Sequence, residues 1–63
     1  MKTINGVLLY HYNILVNGIA KEFNVLGYRT AKAHARHYLS NLFEQNQVEI
    51  LCIDTGEINI IRE

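Results

Sequence analysis

The chain has 63 residues, with six Lys or Arg against six Asp or Glu and so no net formal charge. This length allows one domain, which buries about 60% of its unfolded surface and holds a stability of roughly 3–9 kcal/mol. A hydrophobic fraction of 49% excludes a disordered chain, and no apolar run approaches the ~20 residues of a membrane-spanning helix.

The opening, MKTINGVLLY, lacks the apolar core and small-residue cleavage site of a signal peptide. We therefore expect a soluble, cytoplasmic protein and a complete small gene product. Asn5-Gly6 is a turn pair that can fold the lead-in back on itself. Residues 7–16, VLLYHYNILV, are rich in the β-branched and aromatic types that suit a strand. Asn17-Gly18 then predicts a two-residue type I′ turn into IAKEFNVL, residues 19–26. Such a turn pairs Val16 with Ile19, Ile14 with Lys21, Tyr12 with Phe23 and Tyr10 with Val25 on one face. That face is apolar apart from Lys21 and is expected to meet the helix. The other face pairs Leu15 with Ala20, Asn13 with Glu22, His11 with Asn24 and Leu9 with Leu26.

The stretch TAKAHARHYLSNLFEQN, residues 30–46, is the one with a sustained helical period. Thr30 is a suitable N-cap, and Ala31, Ala33 and Ala35 favour the helix beyond it. A step of about 100° per residue places Ala31, Ala35, Tyr38, Leu39, Leu42 and Phe43 on one side. Ala33, Arg36, His37, Ser40, Asn41 and Glu44 face away. The predicted helix spans 31–45, with Asn46 as a left-handed stop.

Beyond it, VEILCID (48–54) and EINII (57–61) read as a second hairpin, with Asp54-Thr55-Gly56 as a three-residue loop and Gly56 left-handed. That register sets Cys52 against Ile58 and Ile50 against Ile60, with Val48 on the same core face, and turns Leu51, Ile53 and Ile61 outward. The lone cysteine, Cys52, makes no internal disulfide and suits a reducing compartment. The order strand, strand, helix, strand, strand (ββαββ) predicts an α+β, two-layer domain over residues 1–63. It is a four-stranded, mostly antiparallel sheet with one helix packed on one face.

The stretch GYRTAKAHARHYL, Gly27–Leu39, resembles the aromatic-x-Thr and Ala-spaced helix start of AP2-type and integrase arm-binding domains. The resemblance implies three strands, one helix and a DNA-reading sheet with basic or aromatic residues. This chain departs from it: the corresponding face holds His11, Asn13, Glu22 and Asn24 without an Arg, and a fourth strand is expected.

A helix on one face leaves Leu9, Leu15, Leu26, Leu51, Ile53 and Ile61 on the other, with His11 among them. A solvated antiparallel face alternates to polar residues, and a contiguous apolar patch marks an interface. A charged fraction of only 19% points the same way. Edge strands without Pro offer a second contact, by strand addition. Charge is also segregated. Residues 1–43 carry Lys2, Lys21, Arg29, Lys32 and Arg36 against Glu22, whereas residues 44–63 carry Glu44, Glu49, Asp54, Glu57 and Glu63 against Arg62. Arg29, Lys32 and Arg36, at i, i+3 and i+7, form a basic stripe suited to phosphates.

No catalytic arrangement emerges. His34 and His37 share a helix face but lack further ligands for a metal. His11 and Cys52 fall on opposite sides of the sheet, and Asp54 and Glu57 flank a turn, where such residues are structural. The sequence therefore predicts no cofactor, no metal and no enzyme. It predicts a small protein-binding module, an inhibitor, antitoxin-like factor or accessory regulator that forms a homodimer. Chains this short are frequent among mobile-element and phage regulators. The alternative is a small nucleic-acid-binding regulator that uses Arg29, Lys32 and Arg36.

Overall fold

The computed structural model describes residues 2–39 and 46–61. In chain order these form β1 (Lys2–Ile4), β2 (Val7–Leu9), β3 (His11–Val16), β4 (Ile19–Leu26), α1 (Tyr28–Arg36), β5 (Val48–Cys52) and β6 (Ile58–Ile61). Strands β4-β3-β5-β6 make one four-stranded sheet with antiparallel pairing throughout. Helix α1 packs across one face of it and touches all four strands. The α+β, two-layer architecture expected from the sequence is what forms.

The first strand differs from expectation. Residues 7–16 break at Tyr10, and the first half pairs with β1 as a separate two-stranded sheet. Asn5 and Gly6, with φ of 51° and 78°, close this hairpin. Its residues 2–8 are all exposed, and the molecule is drawn out to 42 × 19 × 16 Å. The expected turn at Asn5-Gly6 thus forms, and its hairpin is an arm beside the main sheet.

At the second hairpin, Asn17 (φ 53°) and Gly18 (φ 84°) form the expected two-residue turn and pair Val16 with Ile19 and Leu15 with Ala20. Beyond that the register slips twice. Ile14 faces Glu22 rather than Lys21, and Tyr12 faces Val25 rather than Phe23. Strand β4 thus carries one extra residue at Lys21 and another at Phe23–Asn24. The second bulge rests on Asn24, whose φ is 55° and whose N–H donates to the Asn13 side chain at 3.1 Å. Each bulge exchanges the two faces for the residues beyond it. Glu22, expected on the far face, is turned under the helix, while Phe23, expected in the core, is 63% exposed.

Helix α1 starts three residues earlier than Thr30 implies. Gly27 is its N-cap, at φ 90°, and Thr30 makes no capping bond. The Gly27 carbonyl accepts the Ala31 N–H at 3.0 Å, and its own N–H donates to Tyr10 at 2.9 Å. Only glycine holds that φ without strain, so the junction overrides the hydroxyl preference at Thr30. The Tyr28 ring meets Tyr12 edge-on at 5.7 Å, which seats the first turn. Ala31 and Ala35 are buried as expected and let the helix lie close to the sheet; Leu39 is also buried and Tyr38 half-buried. After Arg36 the chain tightens into i→i−3 bonds at His37, Tyr38 and Leu39. The expected helical positions Ser40, Asn41, Leu42, Phe43 and Glu44 lie outside the described residues.

Asn46, expected to stop the helix, acts as a staple. Its N–H donates to Leu39 and its Nδ2 to the Tyr38 carbonyl, both at 2.7 Å, while its Oδ1 accepts from Asn17 at 2.9 Å. One side chain thus joins the residues after the helix to the β3–β4 turn.

The last hairpin also slips by one. Ile50 faces Asn59 and Leu51 faces Ile58, across a four-residue loop, 53–56. Gly56 is left-handed as expected, at φ 80°. The longer loop is set by a tertiary contact: His11 donates its N–H to Asp54 at 2.9 Å and accepts the Ile53 N–H at 3.0 Å, drawing residues 53 and 54 alongside β3. As a result Ile61, expected to face outward, is buried, while Ile58 and Ile60, expected in the core, are 57% and 52% exposed. The core comprises Tyr12, Ile14, Val16, Ala31, Ala35, Leu39, Val48, Ile50, Cys52 and Ile61, all between helix and sheet.

Candidate interaction surface

The register defines the sheet face opposite α1 row by row. Ala20, Leu15, Glu49 and Ile60 line up across the four strands. Asn13, Leu51 and Ile58 form the next row, and Leu26, His11 and the loop residue Ile53 the last. Of the residues expected on this face, Leu15, Leu26, Leu51 and His11 are half-buried and Ile53 is exposed. Leu9 stands apart at the end of the arm, half-buried, with its Cδ2 3.8 Å from where a Cβ on Gly27 would lie. Ile61 is not on the face at all: the longer loop buries it, and Ile58 and Ile60 take its place. A four-residue loop was the missing signal, and nothing in the string Asp-Thr-Gly distinguishes it from a three-residue one.

Among the described elements, α1 alone packs on the sheet, and it lies on the core side. Among the described residues the open face is apolar over its β5–β6 half, with Glu49 its one carboxylate. Leu15, Leu51, Ile58 and Ile60 are held on paired strands rather than loops.

The two edges of this sheet differ. Strand β4 is interrupted by the bulges at Lys21 and Phe23–Asn24, devices that discourage further pairing. Strand β6 pairs with β5 in unbroken register and carries neither charge nor Pro between Ile58 and Ile61.

On the other layer, Tyr28, Arg29, Lys32, Ala33 and Arg36 line a shallow groove along the helix flank, without a carboxylate among them. Nearby, His34 Nδ1 lies 2.9 Å from Glu22 Oε1. That hydrogen bond holds the Glu22 carboxyl below its usual range, although partial burial opposes it. The Tyr38 hydroxyl also bonds Glu22 and is held above the usual phenol value as a result.

Cys52 is buried on the helix side, away from His11 on the open face. Among the described residues no three His, Cys, Asp or Glu side chains converge on a metal position. No helix among them is long and apolar enough to cross a membrane. A slot beside Cys52, lined by Tyr10, Tyr12, Thr55, Glu57 and Asn59, contains one carboxylate and no base. Comparison with protein-family models, with curated proteins and with solved structures finds no match for this chain.

Proposed function

We propose that this chain is a small, non-catalytic protein-binding module that acts as an inhibitor, antitoxin-like factor or accessory regulator and also self-associates. The observation that carries this reading is the uncovered apolar sheet face, with Leu15, Leu51, Ile58 and Ile60 on it. A solvated face of an antiparallel sheet alternates to polar side chains; this one does not. Glu49 within the patch and the segregation of basic and acidic residues along the chain orient the encounter. A buried free thiol at Cys52 suits a cytoplasmic setting.

The test is capture of a partner from native host extract by wild type and by two variants. Leu51→Glu places a charge in the patch and abolishes capture, whereas Arg36→Ala, on the opposite layer, leaves it unchanged. Retention by Leu51→Glu with loss by Arg36→Ala overturns the reading.

That second pattern belongs to the alternative, a nucleic-acid-binding regulator. The carboxylate-free groove of Tyr28, Arg29, Lys32 and Arg36 supports it. Three phosphate contacts give a log–log salt slope of about −3, so a salt-dependent shift of DNA or RNA, weakened by Arg36→Ala, is the result that selects it.

A further inference from the structure

We propose that β6 pairs with β6 of a second copy, antiparallel and centred on Asn59, to give one continuous eight-stranded sheet. This rests on the self-association part of the proposed function and names its surface and register. The inference begins from the ladder between β5 and β6. Cys52 donates its N–H to the Glu57 carbonyl at 2.8 Å, so residue 57 turns its backbone groups toward β5. Antiparallel ladders alternate. Asn59 and Ile61 therefore also bond inward, and Ile58 and Ile60 direct their N–H and C=O groups to the free edge. The same two residues project their side chains onto the open face.

The segment Ile58-Asn59-Ile60 reads the same in both directions. A two-fold axis at Asn59, perpendicular to the sheet, sets Ile58 against Ile60 of the partner copy and Ile60 against its Ile58. All four outward donors and all four outward acceptors are then satisfied. The four isoleucines join into one apolar cluster on the open face, and both helices lie on the other. In this register Glu57 falls opposite Ile61 rather than opposite a carboxylate, so no like charges meet.

The occupant is a second copy rather than an open array because the remaining edge is blunted. The bulges in β4 prevent a β6–β4 contact from propagating, and a two-fold pairing of β6 closes at two chains. The pairing is also weak. A four-residue edge spans about 13 Å and covers less than the ~800 Å² per partner of a standard interface, so the dimer dissociates on dilution.

The experiment uses purified protein and two kinds of variant. Ile60→Pro deletes one outward N–H per chain and no bond to β5, a substitution that edge positions tolerate. In sedimentation over a concentration series it raises the dimer dissociation constant roughly tenfold or more, two of four bonds being lost, with the circular dichroism unchanged. Independently, Asn59→Cys with Cys52→Ala carries one thiol at the axis, where non-hydrogen-bonded partners stand about 4.5 Å apart, within disulfide reach. Mild oxidation links it to itself, whereas His37→Cys in the same background forms no cross-link. A dimer unaffected by Ile60→Pro and not linked through residue 59, but dissolved by Leu51→Glu, overturns the edge pairing and leaves self-association through the face. A wild-type monomer at high micromolar concentration overturns both.

Discussion

Glu22 and His34 meet at 2.9 Å across the gap between β4 and α1. They do so only because the bulge at Lys21 turns Glu22 from the open face to the helix side. This contact makes stability depend on pH in a defined direction. The Glu22 carboxyl is held below its ordinary value of 4.5, chiefly by the His34 hydrogen bond. A lowered carboxylate contributes stability that is complete above 4.5 and disappears as pH falls through the lower native value. Glu22 is 29% exposed and His34 48%, so solvent screens the pair and the contribution stays under about 1 kcal/mol. Denaturation of wild type and Glu22→Gln should therefore differ slightly at neutral pH and converge in acid. A gap that widens in acid contradicts the assignment.

Leu39 closes the core beyond the last helical turn. Leu39→Ala should cost roughly 2–5 kcal/mol, a large part of what a chain of this size can hold. His37→Ala, fully on the solvent side, should be nearly silent. Chemical denaturation of the two variants checks the order.

The close seat of α1 on the sheet depends on Ala31 and Ala35, both with no exposed surface. Ala35→Leu should be destabilising by about 1–3 kcal/mol through overpacking, although Leu is nearly as good a helix former. Ala33→Leu, on the exposed side, should leave the midpoint almost unchanged.

Asn46 bonds both the Tyr38 and Leu39 carbonyls and Asn17. Asn46→Ala keeps the backbone bond to Leu39 but removes the side-chain bonds to Tyr38 and Asn17, and should cost roughly 1–3 kcal/mol. In hydrogen exchange the Asn17 turn and the Tyr38–Leu39 segment should lose protection together. Loss at one site alone would show that they are not joined through Asn46.

The elements of this fold were legible because their signals are local. Asn17-Gly18 supplies its own turn, the Ala-rich stretch its own helix, and the strands their β-branched and aromatic residues. The hidden features rest on contacts between distant residues. The bulge at Asn24 needs the Asn13 side chain. The longer loop needs Asp54 to reach the His11 N–H. The helix starts at Gly27 because Tyr10 accepts its N–H. The candidate surface shows the same division. Leu15, Leu51 and His11 could be placed from alternation along β3 and β5, and Leu26 keeps its expected face because the two bulges in β4 cancel. Ile58, Ile60 and Ile61 depend on a loop length set from β3, so their faces were exchanged.

The bond from Gly27 to Tyr10 has a mechanical side as well. Tyr10 ends the projecting arm of β1 and β2, and Gly27 begins α1. The two meet at one joint, with the Tyr28 ring set against Tyr12 beside it. The first turn of α1 therefore fastens the base of the arm as well as packing on the sheet.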